Sequence, residues 1–295
     1  MFKVSKESFI YAMNSANAPI LRVPASATIE FETSDCFGGQ VKSEQDEFGG
    51  LDFSRVNPAT GPVYIEGAEP GDVLAVKIDK IEVASQGVVI AGKGMGALAH
   101  ILGDYAIKIV PIENDTAIFS ESLHLPLNKM IGVIGVAPKE SDIIACGTPD
   151  YHGGNMDCKE ITEGRTIHLP VNVPGALLAL GDLHAIMADG EVGATGLEVA
   201  GKVTVTVDVI KNKPQPHPML FSDTHIMTIA SHVDLDTAVD MAVEHMAQYL
   251  INEYGFTLND TAMLMSLVAD TRICQVVDPK KTIRVEFPKK YLPSK

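Results

Sequence analysis

Asp182 and His184 stand two residues apart, directly after the apolar run 171–180. In an extended segment that spacing points both side chains to one face. An imidazole and a carboxylate on one face suit Zn2+ or a similar cation. Asp189 and Glu191 repeat the spacing with two carboxylates. One of them is open to ligation, the other to proton transfer or to orienting a ligand. A plain hairpin with an Asp-Gly turn and solvated acids accounts for the same residues.

Two more clusters are rich in chemical groups. In residues 151–158 (YHGGNMDC), the pair Gly153-Gly154 lets backbone come close to a ligand. There His152 and Asp157 are suited to coordination or hydrogen bonding, and Asn155 to holding a carbonyl; a Gly-rich turn with a surface His is the competing reading. In residues 34–40 (SDCFGGQ), Asp35 offers a metal ligand ahead of Cys36 and a Gly-Gly pair. Cys36 invites a nucleophile reading, but a lone cysteine is more often simply buried, and Cys158 reads the same way. The stretch GKGMG at 92–96 lacks the spacing of a phosphate loop, and no dinucleotide fingerprint opens a helix after a strand.

These clusters need a scaffold, and the pattern supplies one. Alternation of apolar and polar residues over 27–31, 73–81, 105–110 and 203–210 predicts half-buried strands. Asn-Pro, Gly-Pro and Pro-Gly-Asp steps punctuate them. Many short strands with such turns predict an antiparallel sandwich or barrel rather than repeated βαβ units. The Pro-rich stretch 211–218 marks a linker between a β-rich region, 1–215, and an α+β unit, 216–295. In that unit the pattern predicts a strand over 221–230 and an amphipathic helix over 235–250, capped by Asp234 or Asp236 and stopped at Gly255. A second helix opens on Thr257 and runs to about 269, and strands follow at 272–277 and 282–287. The fold class expected is mainly β.

The 295 residues carry 23 basic and 38 acidic side chains, a net charge of −15. That balance argues against nucleic acid and anionic membrane surfaces as partners. No apolar run approaches the ~20 residues of a spanning helix, and the N-terminal residues show no secretory pattern. Four sparse cysteines fit a reducing cytoplasm.

The sequence resembles the acetamidase/formamidase family. The resemblance is carried by 35–40 (DCFGGQ), 57–72 (NPATGPVYIEGAEPGD), 152–157 (HGGNMD), 181–185 (GDLHA) and 189–191 (DGE). It implies a jelly-roll-like β-sandwich with a barrel-like part and a C-terminal α+β unit. It also implies hydrolysis of short amides to ammonia and a carboxylate, with bound Zn2+ and sometimes Ca2+. Relatives are expected to carry Gln near position 187 and an acid near 100, where this chain has Met187 and His100; the difference bears on substrate choice.

A mechanism that fits assigns Asp35, Asp182 and His184 as metal ligands, with His152 as a further ligand or its support. Glu191 or Asp157 then moves the proton. Asn155 assists, and amides at Gly153 and Gly154 stabilise the oxyanion. The partner expected is a small amide, and a homodimer is expected from the commonness of twofold oligomers. The alternative is a sandwich that binds Ca2+ or a ligand without catalysis; Ca2+ takes oxygen ligands, whereas histidines favour a softer ion.

Overall fold

The computed structural model describes residues 1–139 and 141–293. Its two largest sheets have nine and eleven strands, and a two-stranded ladder lies beside them. The nine-stranded sheet runs Phe2–Val4, Thr28–Thr33, Gly201–Ile210, Val73–Val83, Thr166–Pro170, Met219–Phe221, His225–His232, Lys281–Pro288, Asp270–Gln275. The residues beyond 215 therefore extend a sheet that the earlier part of the chain begins. Alternation forms these strands as expected: in Gly201–Ile210, Val203, Val205 and Val207 are buried between Lys202, Thr204 and Thr206.

The eleven-stranded sheet is centred on Leu178–His184. This strand pairs with Met130–Gly135, with Glu198–Val199 and with Ala59–Ile65. Every residue of Leu178–His184 and of Met130–Gly135 is buried. A strand covered on both faces reads as a continuous apolar run, which is why these two lack alternation. The two sheets share one core, in which Ile29, Phe31 and Val205 meet Ile131, Leu178 and Leu183. Full burial of each such side chain contributes roughly 1.5–3 kcal/mol.

The two helices are Leu235–Tyr254 and Leu258–Val268. Asp234 caps the first by accepting from Thr237 N at 2.8 Å, and Gly255 ends it at φ 72°. Its Ala238, Ala242, Met246 and Leu250 pack into a second core with Ile283, Val285 and Phe287 of the sheet. Thr257 caps the second helix at Asp260 N, 3.1 Å. The strand expected over 221–230 is two strands, because Ser222 Oγ accepts from Thr224 N and His225 N and turns the chain. Among the described residues no helix is long and apolar enough to cross a membrane.

Candidate active site

Strand pairing places the first groups. His184 lies opposite Glu198 on one side and Met130 on the other. His184 Nε2 stands 3.2 Å from Glu198 Oε2, 3.5 Å from Asp182 Oδ1 and 3.7 Å from Asp157 Oδ1. All four side chains are at most 3% exposed. Two sets of potential ligand atoms result, each mutually within 4.8 Å: Cys36, Asp182 and Glu198, and Asp157, His184 and Glu191.

The backbone bends to make this possible. Asp157, Asp182 and Glu191 sit at φ 40°, 54° and 44°, in the left-handed region. For a non-glycine residue that costs on the order of 1–3 kcal/mol, and such outliers concentrate at functional sites. A gap in the wall does the rest. At Gly132, a Cβ would lie 2.5 Å from Asp157 Oδ1 and 2.7 Å from Asp182 Oδ2. The glycine inside Met130–Gly135 therefore opens the space in which the carboxylates meet.

Asp278 joins from the turn between Asp270–Gln275 and Lys281–Pro288. Gln275 shapes that turn: its Oε1 accepts from Val277 N and Asp278 N at 2.9 and 3.0 Å, and its Nε2 donates to Lys280 O at 2.7 Å. Lys280 pairs with Asp150, tying the turn to the segment that carries Asn155. Asn155 Nδ2 donates to Asp278 Oδ2 at 3.0 Å. A cavity of about 210 Å³ is lined by Asn155, Asp182, His184, Glu191, Glu198 and Asp278, and also by Phe37, Phe53, Val56 and Met95.

The electrostatics of the cluster are unfavourable as it stands. Burial, with Glu198, Asp278 and Asp182 nearby, raises Glu191 to about 8 against the opposing effect of His184. Burial and Asp182 raise Glu198 to about 7. Asp157 and Asp278 are driven well above the carboxylate range, first by burial and then by neighbouring acids. His184 shifts up despite burial, because Glu198 and Asp182 hold its charged form. Burial pushes the Cys36 thiol up as well. Asn155 Oδ1, Asp157 Oδ1, Asp182 Oδ1, His184 Nδ1 and Glu198 Oε2 are buried without a hydrogen-bond partner. Such atoms are costly unless something fills their bonding capacity. Carboxylates, an imidazole and a thiol around one space fit a divalent cation, with two of the donor types suiting zinc.

The structure brings together Asp182, His184, Asp157, Glu191 and Asn155 from the expected set. It keeps others apart. Asp35 accepts from Gly39 N at 3.0 Å in a turn and faces a separate groove beside Lys6, Tyr11 and Arg55; its neighbour Cys36 points into the cluster instead. His152 is fully buried outside the cavity wall, with neither ring nitrogen bonded, and burial lowers it to about 4. Gly153 and Gly154 pair with Gly135 and Ile134, and the Gly153 N–H is taken by Asp150 O at 3.0 Å. At Gly153 a Cβ would lie 2.3 Å from Ile134 O, so this glycine serves strand contact. Asp189 pairs with Arg284 and Lys159.

Sequence reasoning missed Glu198, Asp278 and the ligand geometry of Cys36. Glu198 lies in 197–203 (LEVAGKV), which reads as an ordinary strand. A glycine inside the apolar strand 130–135 (MIGVIG) was the available signal for a close approach at that place.

The family model described as the Acetamidase/Formamidase family matches residues 16–145 and 144–291. An acetamidase structure from Bacillus halodurans is 46% identical, covers 98% of each chain and superposes with a TM-score of 0.96. A recombinant predicted acetamidase/formamidase from Thermoanaerobacter tengcongensis is 47% identical, with 98% of this chain and 96% of that one covered and a TM-score of 0.96. A formamidase from Methylophilus methylotrophus is 26% identical over 61% of this chain and 59% of its own length. The chain thus spans about three-fifths of the length of the curated relatives it matches.

Proposed function

The chain belongs to the acetamidase/formamidase family, and on that premise we propose that it hydrolyses short amides to ammonia and a carboxylate at the buried acid cluster, with a divalent metal, Zn2+ first, as its cofactor. The observation that carries this reading is a pair of buried carboxylate oxygens without hydrogen-bond partners, Asp182 Oδ1 and Glu198 Oε2, beside His184 on the wall of one cavity. Cys36, Asp182 and Glu198 would form one donor set and Asp157, His184 and Glu191 the other. When bound, such a cation lowers the pKa of water towards ~7 and polarises an amide carbonyl. The thiol and imidazole favour zinc over calcium for this role, and a Ca2+ position is the weaker reading.

The remaining steps belong to the protein. Asn155 Oδ1, buried and without a partner, accepts an N–H of the substrate amide and orients its carbonyl. Glu191 and Asp157 are taken up by the donor set. Among the described residues, Asp278 is the titratable one on the cavity wall outside both sets, so it holds the proton lost by water and delivers it to the departing nitrogen. Asn155 Nδ2 fixes the carboxyl for that transfer.

The experiment is metal removal followed by titration of Zn2+ or Ca2+, with ammonia release read on formamide, acetamide and propionamide. Activity that vanishes on chelation and returns with Zn2+ supports the reading. Full activity in metal-free protein overturns the metal role, and zinc-loaded protein inert on all three amides overturns the amidase role. A cytoplasmic location is consistent with four free, buried cysteines. The homodimer rests on general oligomer statistics and is checked by sedimentation.

A further inference from the structure

Beside the acids and His184, the cavity wall carries an apolar group: Phe37 is 4% exposed, and Val56 and Met95 pack beside it on Cys36, Val41, Val88, Ile90 and Ile107. Phe53 completes the rim and is 55% exposed. These side chains come from two loops, one between Thr28–Thr33 and Ala59–Ile65 and one between Gln86–Ala91 and Ala106–Glu113. Among the described residues, this part of the wall carries no titratable side chain apart from Cys36 at its border, and Asn57 beside Val56 is polar.

Formamide carries no carbon beyond its carbonyl and touches nothing on such a wall. The cavity measures about 210 Å³, which the proposed cation and a substrate would share. On its Phe37, Val56 and Met95 side water is poorly held and hydrocarbon is favoured. We infer that the preferred substrate is a primary amide whose acyl group is an apolar chain of about three to five carbons, seated on this wall. The inference rests on the amidase reading and adds the substrate class to it.

Each buried methylene is worth about fourfold in kcat/KM. The test is ammonia release from the metal-loaded protein on formamide, acetamide, propionamide, butyramide and valeramide. Butyramide is expected to exceed formamide in kcat/KM by on the order of fiftyfold. Phe53→Ala and Met95→Ala should each cut that ratio about fourfold or more. Thermal-shift titration with the products should rank butanoate above formate. Formamide equal to or better than butyramide, or a ratio unmoved in both variants, overturns the acyl wall while leaving the amidase reading intact. No ammonia from any amide overturns the amidase reading and this inference with it.

Discussion

Arg284 offers the sharpest quantitative test of how the site is held. Its side chain is 1% exposed. Nη1 and Nη2 donate to Asp189 Oδ1 and Oδ2 at 2.6 and 2.8 Å, and Nε donates to Glu286 Oε1 at 2.6 Å. Asp189 lies two residues before Glu191. Gly190 between them bonds Asp270–Gln275 and the residue after it: its N–H donates to Cys274 O at 2.8 Å, and its carbonyl accepts from Val276 N at 3.2 Å. Arg284→Met keeps the aliphatic stem but leaves Asp189 with Lys159 alone and Glu286 with Arg272. Removing one partner of a buried pair costs about 3–5 kcal/mol. Asp189 and Glu286 are 25% and 14% exposed, so water recovers part of the loss and the lower end, about 3 kcal/mol, is expected. Urea unfolding of metal-loaded protein at pH 7 measures it. Arg284→Lys should fall between, since it keeps the charge and loses the two-point contact. In a cycle with Asp189→Asn, the coupling should be about 1.5–3 kcal/mol. A loss under about 1 kcal/mol for Arg284→Met, or no coupling, would refute the reasoning.

Three further outcomes are expected. Asp278→Asn should lower kcat by about 10²–10⁴ with metal content unchanged; a loss under about threefold would return proton transfer to another group. Gly132→Ala puts a methyl against Asp157 and Asp182, and metal affinity, read by metal analysis after dialysis against a graded chelator, should drop on the order of ten- to a hundredfold. Burial pushes the Asp189 carboxyl up, but Arg284 and Lys159 outweigh it and hold the group below its ordinary range. Its contribution to stability is therefore complete above about pH 4, the unfolded value, and is lost as pH falls through the lower folded value. Unfolding free energies from pH 6 down to pH 3 should decline more steeply in the wild type than in Asp189→Asn, and parallel profiles would contradict the assignment.

Much of the scaffold was legible because period and capping are local. The helix Leu235–Tyr254 starts at its Asp cap and stops at its Gly, and Gly201–Ile210 follows its alternation. The Asp182 and His184 pairing was also legible, since both lie on one strand. The ligand geometry of Cys36 was not, although its cluster stands out, and Glu198 and Asp278 sit in locally unremarkable segments. All three come together only through strand register or turn placement with partners far along the chain. Asp35 shows the same limit in reverse: its neighbours look like a ligand motif, yet a turn hydrogen bond to Gly39 claims it while the adjacent thiol turns inward. The glycines at 153 and 154 suit a ligand contact in sequence, and close strand packing uses them instead.

The cavity draws on Cys36 and Asp278, about 240 residues apart in the chain. During synthesis the turn that holds Asp278 emerges after Asp157, Asp182, Glu191 and Glu198. Until then Asp157, Asp182, Glu191 and Glu198 lack their final cover and stay hydrated and ionised. Contacts of such long range form late and slow folding. The electrostatic cost of sealing the acids is therefore met when the turn at 276–280, held through Lys280 to Asp150, joins the cluster. Under the proposed reading a cation captured before that step lowers its barrier, so the cell's metal supply would govern how much newly made chain reaches the folded state as well as how fast the finished enzyme works.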